Sequence, residues 1–598
     1  MANFIILIDP DSERRSHYIK TIEPLLPPVA NLVTHSCSGG NFHAIWAAHP
    51  QAPISTVTTA EGAAIIWGEA ITPDSSTRID AARLQRLWHN APATSYFDGY
   101  YAAVVYEPDG RLMVGADVLG IFPVYYYTHQ DVALVASSPE LFPYHPKFQT
   151  QFNPAGLVGI LLTNGLFKDQ TLWQDVQRLS AGHLLTWQPE TSPQLIQQYQ
   201  IPGSGPDHPY TQLSFAEQLD QLDHSLNQAI ARHAPADKSY SLLLSGGLDS
   251  RMLAGYLDQQ GRQPIALTLG IPSDIEMQCA IPVARTLGFN HRPLNISFKQ
   301  YPTYAETLAN WDHLASGYNW VMNWGLPSAL AQFPPNLVTG YLVDRVIGGK
   351  WNYSLTPKTL SFDTFFAKIN ACALSQNVLK KLLRPDVFGD LVADTLEQIR
   401  EVYISYSPIE SARACCFEYY HRQRFHIGSM AWQACFGAWP ILPVLDQQLL
   451  DMTAKFPVQS FAHRQAQNQL VCTHFPQLAR LPLDRNDFNV EPLLSSPTRQ
   501  RLARLFFLQL KWRRLLRKLG YDRRYYYRVY DINNPGWKAV RYLAEPQRQQ
   551  IGELFDLDVL EQLLPPPHLP IKLGFDPIPE SSGLKALLGF LLWSKDHL

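Results

Sequence analysis

No apolar stretch in this chain reaches the ~18 or more uninterrupted residues that a membrane span requires. The opening MANFIILIDPDSERR holds an apolar run of only five residues, Phe4 to Ile8, before Asp9. That is too short for the core of a signal peptide, and a cytoplasmic protein with no membrane span is expected. Charge is also sparse, at 17% of residues with a net of −3, so nothing draws the whole molecule toward nucleic acid or anionic lipid. Seven cysteines are scattered without a CxxC pair. That excludes a patterned disulfide framework or zinc ribbon and leaves reduced thiols that act as small core residues. His421 and His426 stand five apart with no carboxylate pattern to complete a zinc site, and they read as structural. Repeats and low-complexity segments are absent.

What is present is a large apolar content, 46% of 598 residues, enough core for two or three domains. Residues 1–200 read as mostly β. Runs such as AAIIWGEAI (63–71), YYAAVVYEP (100–108) and VALVASS (132–138) are short, β-branched or aromatic, and separated by turn residues. IPGSGPDHP (201–209) concentrates glycine and proline and marks a linker. Beyond it the texture becomes α/β. A helix over 214–234 precedes strand SLLL, a helix over 250–260, strand PIALTLG (264–270) and a helix over 276–288, an alternation that predicts a parallel sheet with crossover helices. The chain accordingly divides at 1–205, 213–500 and 501–598.

The most informative stretch is SGGLDS, Ser245 to Ser250, between a buried strand and a helix. The adjacent Gly246 and Gly247 let the backbone turn sharply and present amides with no Cβ in the way. Those amides meet the N-terminus of the next helix, where unpaired donors and the helix dipole favour an anion. Ser245 and Ser250 add hydroxyls. Asp249 would repel phosphate unless a cation lay between them, and Mg²⁺ bridging carboxylate and phosphate is the usual solution. No lysine follows the glycines, so this is not the Gly-x4-Gly-Lys loop. The plain alternative is a strand–turn–helix with a tight glycine turn.

SGGLDS resembles the pyrophosphate loop of the ATP-pyrophosphatase enzymes in the form used by asparagine synthetases. IALTLGIPSDIEMQCAIPVARTLGFNH (265–291), VTGYLVDRVIGG (338–349) and WPILPVLDQQLLDMTAKFP (439–457) resemble further segments of that family in the right order. The resemblance implies an N-terminal Ntn-hydrolase-like αββα sandwich followed by a parallel-sheet synthetase domain of the adenine nucleotide α-hydrolase kind. It also implies a chemistry. A substrate carboxylate attacks the α-phosphate of ATP, pyrophosphate leaves, and an amine displaces AMP to form an amide. Asp249 and Asp344 would hold Mg²⁺. Main chain near Leu243 and Leu269 would read adenine, with Thr339 and Gly340 flanking the nucleotide. Aspartate and ammonia, or a peptide, are the substrates in range.

Three departures from the family pattern follow. Glutamine-dependent members carry a cysteine directly after the initiator methionine, whereas this chain reads Met1-Ala2-Asn3. The expected arginine of the segment GADVLGIFPVYYY is Ala116. A sandwich domain without glutamine hydrolysis is the expectation, with free ammonia or a substrate-borne amine as nucleophile. Tyr341 stands where those synthetases have glutamate, as in β-lactam synthetases, where a tyrosine helps deprotonate the substrate's own amine. A phenol with an unperturbed pKa near ~10 needs an acidic neighbour or a lowered pKa for that task, and Glu418 is the candidate orienter. The lysine expected late in the domain to neutralise pyrophosphate is missing from LARLPLDRNDFNVEP (478–492), leaving Arg485 as the cation in that region. A ring-closing enzyme of the β-lactam or lasso-peptide kind and a non-catalytic nucleotide-binding relative both remain in range.

Residues 499–528 contain eleven Lys or Arg and one acid, Asp522. Leu502, Leu505, Phe506, Leu510 and Leu515 fall on one helical face, so a basic-faced helix lying on the domain is expected rather than a nucleic-acid site. A homo-oligomer is possible on sequence grounds, and nothing in the pattern points to one.

Overall fold

The computed structural model describes residues 2–60, 62–73, 75–203, 208–348, 361–485, 490–495, 498, 524–574 and 577–598. Most of the basic run, 499–523, therefore lies outside the described residues.

The N-terminal region forms two six-stranded antiparallel sheets stacked face to face. One sheet centres on Ala2–Ile8, paired with Phe42–Ala48 and Val132–Ala136. The other runs through Ala63–Gly68, Tyr101–Tyr106 and Leu112–Ala116. The alternation of strand side chains aims Phe4 of the first sheet at Trp67 of the second, with ring centroids 4.1 Å apart and planes 4° apart. Every residue from Phe4 to Ile8 is buried, so both faces of that strand are covered, which is why it reads as a continuous apolar run. Helix Ser12–Ile22, capped by Asp11, buries Tyr18, Ile19 and Ile22. Helix Ala81–Asn90, capped by Asp80, packs Leu84 and Trp88 with Ile66, Tyr101 and Met113 of the second sheet in a core of their own. The result is the expected αββα sandwich.

The second region is built on a five-stranded sheet whose pairings are all parallel. In spatial order its strands are His291–Leu294, Ile265–Leu269, Tyr240–Leu243, Asn336–Val338 and Trp439–Ile441. The chain thus winds outward from Tyr240–Leu243 in one direction and then returns to its other side. The reversal opens a crevice at the carboxyl ends of Tyr240–Leu243 and Asn336–Val338, the position where such sheets bind ligands. The expected helices are observed as Phe215–His233, Leu248–Gln259 and Ile275–Thr286.

The C-terminal part is not a separate appendage. Helix Pro535–Ala544 and the long Pro577–His597 lie against Tyr301–Asp312 of the second region, and Trp593 also packs against Trp173 of the sandwich. Arg524 is buried against Asp484 at 2.7 Å, and Arg528 pairs with Asp274 at 2.6 Å. The described end of the basic run is thus consumed by internal ion pairs. None of the seven cysteines forms a disulfide and four of them are buried, and among the described residues no helix is long and apolar enough to cross a membrane.

Candidate active site

A cavity of about 320 Å³ sits at the sheet's reversal point. Its floor is the loop Ser245–Ser250, and its construction explains the glycines. Gly246 has φ +74°, and a Cβ there would stand 2.5 Å from the Cβ of Cys279 on the neighbouring helix. Gly247 is the N-cap of helix Leu248–Gln259 and supplies no side-chain cap. The first amides of that helix therefore have no partner from the cap side chain, and Gly247 to Ser250 line the cavity, as an anion site requires. Buried Arg251 fixes the loop by donating to the carbonyls of Gly246, Leu478 and Leu481 at 2.9–3.1 Å.

Of the residues expected from sequence, Leu243, Ser245, Gly247, Asp249, Ser250, Leu269, Gly340 and Tyr341 line this cavity. Gly246 lies just beneath, bonded through its carbonyl. Thr339 is buried at the end of its strand, where its amide donates to Ile441 at 3.1 Å. The side chains of Ser245 and Ser250 meet at 3.2 Å. Gln467 donates to Asp249 at 2.6 Å, and Arg464 lies 3.4 Å from the same carboxylate. Burial is the largest influence on Asp249 and raises its pKa; Arg464 opposes the rise and Asp344 adds to it. Two carboxylates close enough to repel, beside uncapped helix amides, form the donor set that a hard divalent cation and a phosphate chain would satisfy. Asp344 itself is half-exposed and pairs with Arg345 at 3.2 Å.

Three roles assigned from sequence are not what the structure arranges. Arg485 is exposed and donates to the Glu491 carbonyl at 3.0–3.2 Å; its neighbour Asp484 lines the cavity and Arg485 does not. Glu418, in a π-helical turn over Glu418–Gln423, accepts from Gln423 at 3.2 Å and faces Arg345 at 3.8 Å. No bond ties it to Tyr341. Burial pushes the Tyr341 phenol further above its ordinary value, the wrong direction for a base.

Sequence reasoning missed Arg464, Gln467 and Glu276, together with the wall of Trp320, Asn323, Tyr525 and Tyr530. Arg464 did carry a signal. It is the N-cap, in left-handed backbone with φ 59°, of helix Gln465–His474. A cation at a helix N-terminus opposes the helix dipole and wants a compensating reason. The tyrosines arrive from the C-terminal region because buried Glu276 accepts the amides of Tyr525 and Tyr526 at 3.0 and 3.3 Å.

The asparagine synthase family model matches residues 221–350, spanning the pyrophosphate-loop segment and the TGYLVD segment. A glutamine amidotransferase domain model matches residues 76–200 of the sandwich. Over these two stretches the chain is similar to the asparagine synthetase family. Similar curated proteins from Mycobacterium tuberculosis and Mycobacterium bovis, provisionally named as glutamine-hydrolysing asparagine synthetases, are 24% identical over 199 residues. That match spans 32% of this chain and only 30% of the relatives' own length. Among solved structures, the glutamine phosphoribosylpyrophosphate amidotransferase of B. subtilis covers 49% of this chain and 81% of its own at 9% identity, with a TM-score of 0.23. NMN synthetase from Francisella tularensis covers 36% of this chain and 96% of its own at 15% identity, with a TM-score of 0.19. Superpositions that loose support no argument about activity.

Proposed function

We propose that the chain is an ATP-dependent amide-forming ligase that activates a carboxylate as its adenylate and passes it to ammonia or another amine. The observation that carries this reading is the meeting of uncapped helix amides, Asp249 and Arg464 in one cavity at the sheet's reversal point. The substrate carboxylate forms a bond to the α-phosphorus while the bond to the β-phosphate oxygen breaks and pyrophosphate departs. The amine nitrogen then bonds to the acyl carbon, AMP leaves with its oxygen, and the nitrogen loses a proton. Mg²⁺ held by Asp249 and Asp344 would neutralise phosphate oxygens during the first step. The amides at the start of helix Leu248–Gln259 hold the departing pyrophosphate, and Arg464, already inside the cavity, takes the charge-neutralising part first assigned to Arg485. Tyr341 shapes the wall between nucleotide and acyl group as a neutral phenol.

The sandwich domain serves as a structural partner without glutamine hydrolysis. Cys37 is the one cysteine of residues 1–205, and burial pushes its thiol up to about 11, leaving almost no thiolate at neutral pH. Asn3 is buried and bonded to Ser137 and Leu26 at 2.7 Å each. The test is a product assay with Mg-ATP, a panel of carboxylic acids, and either ammonium or glutamine. AMP and pyrophosphate with ammonium support the reading. ADP and phosphate, or turnover that requires glutamine, refute it.

A second reading is supported by the withdrawal of Arg485 to the Glu491 carbonyl: a relative that binds Mg-ATP without chemistry. It predicts nucleotide binding with no AMP from any acid.

A further inference from the structure

Beyond the phosphate end, the cavity changes character. A second part of the lining is formed by Trp320, Met322, Asn323, Met430, Tyr525 and Tyr530. None of these carries a formal charge. Arg464 is the one cation among the described lining residues, and it is engaged with Asp249. The remaining charged lining residues are acids. Glu276 is occupied by two backbone amides, and Asp484 is paired with Arg524.

Three neutral polar atoms on this wall are buried without a hydrogen-bond partner: Asn323 Nδ2, the Tyr525 hydroxyl and the Tyr530 hydroxyl. Their residues are 3%, 8% and 2% exposed. A buried polar group left unpaired costs free energy, so three on one wall point to a ligand that supplies partners. The rings give that ligand its body. Tyr530 meets Trp320 edge-on at 5.4 Å, which leaves flat apolar surfaces beside the neutral donors.

Free aspartate fits this wall poorly. It brings two carboxylates and an ammonium, and moving extra charges into such a site without counter-ions is costly. A carboxylate on an uncharged body suits it, with amide oxygens for Asn323 and the tyrosine hydroxyls and an apolar or aromatic side chain for Trp320 and the methionines. On the basis of the ligase reading above, we infer that the acyl substrate is an N-acylated or peptidyl carboxylic acid with an apolar or aromatic side chain, and not aspartate.

The experiment has two stages. Calorimetry of Mg-ATP with the full chain tests the ligase reading by itself, since absence of binding would sink that reading and not the choice of acid. With binding established, pyrophosphate–ATP exchange is measured with N-acetyl-L-phenylalanine, N-acetyl-L-leucine and L-aspartate. We expect exchange with the N-acetyl acids to exceed that with aspartate by about tenfold or more, the scale at which buried hydrogen-bonding groups discriminate. The Asn323→Asp and Tyr530→Phe variants should raise the KM for N-acetyl-L-phenylalanine while leaving Mg-ATP affinity within about twofold. Equal or faster exchange with aspartate overturns the inference. Mg-ATP binding with no exchange from any of the three acids sinks the ligase reading, and the inference with it.

Discussion

Arg464 Nη1 lies 3.4 Å from Asp249 Oδ2, both lining the cavity at the sheet's reversal point, although 215 residues separate the two in the chain. The pair joins the helix after the pyrophosphate loop to the start of helix Gln465–His474. It puts a permanent cation beside the carboxylate assigned to the metal, and Gln467 holds the other oxygen at 2.6 Å.

That placement separates two arginines. Arg464→Gln should weaken pyrophosphate and Mg-ATP binding by about tenfold, the equivalent of ~1.4 kcal/mol, a modest value because the side chain is partly solvated. Arg485→Gln should stay within about twofold of wild type, because the guanidinium is exposed and bonds the Glu491 carbonyl among the described residues. Calorimetric titration with each ligand measures both. The reverse order of effects would return the role to Arg485.

Asp249→Asn keeps an acceptor for Gln467 and the shape of the side chain. It should leave the unfolding transition intact while removing the dependence of ATP affinity on Mg²⁺. A variant whose ATP affinity still rises with Mg²⁺ as in wild type would show that the metal is held elsewhere.

Glutamine should yield no glutamate with this protein. Cys37→Ala should change neither that nor ammonium-dependent turnover, since the thiol is raised to about 11 by burial. Glutamate release that vanishes in Cys37→Ala would contradict the structural role given to the sandwich.

Lys585 supplies a pH prediction. It is buried, donates to the Tyr530 carbonyl at 2.6 Å, and has its pKa lowered by burial to about 7 from 10.5. The folded state therefore binds fewer protons than the unfolded chain between those values. Lys585 contributes stability that is fully present above the unfolded pKa and is lost as pH falls through the folded one. Relative to Lys585→Met, the wild type should gain up to about 1.4 kcal/mol per pH unit as pH rises above about 7. Urea unfolding of both proteins at about pH 7 and about pH 9 measures the difference. A constant difference would mean that Lys585 is not desolvated.

Local signals made much of this molecule legible in the sequence. Gly246, Gly247 and Asp249 stand within four residues of one another, and the alternation of apolar segments fixes a parallel sheet around them. The missing parts are held by contacts between distant segments. Glu276 and Tyr525 are 249 residues apart, and although Glu276 lies within the family-like segment 265–291, nothing local links it to Tyr525, so the tyrosine wall has no local signature. Arg485 lies in the right kind of segment, LARLPLDRNDFNVEP. Its guanidinium bonds the Glu491 carbonyl instead, and sequence spacing does not encode that contact.

The central claim is that a carboxylate oxygen attacks ATP at the α-phosphorus in this cavity. Heavy-oxygen-labelled N-acetyl-L-phenylalanine and L-aspartate, supplied in separate reactions with Mg-ATP and ammonium, test it most directly. The account predicts that AMP formed with the N-acetyl acid gains one labelled oxygen, seen by mass spectrometry, with pyrophosphate unlabelled. AMP without label, or label found in released phosphate beside ADP, would contradict it.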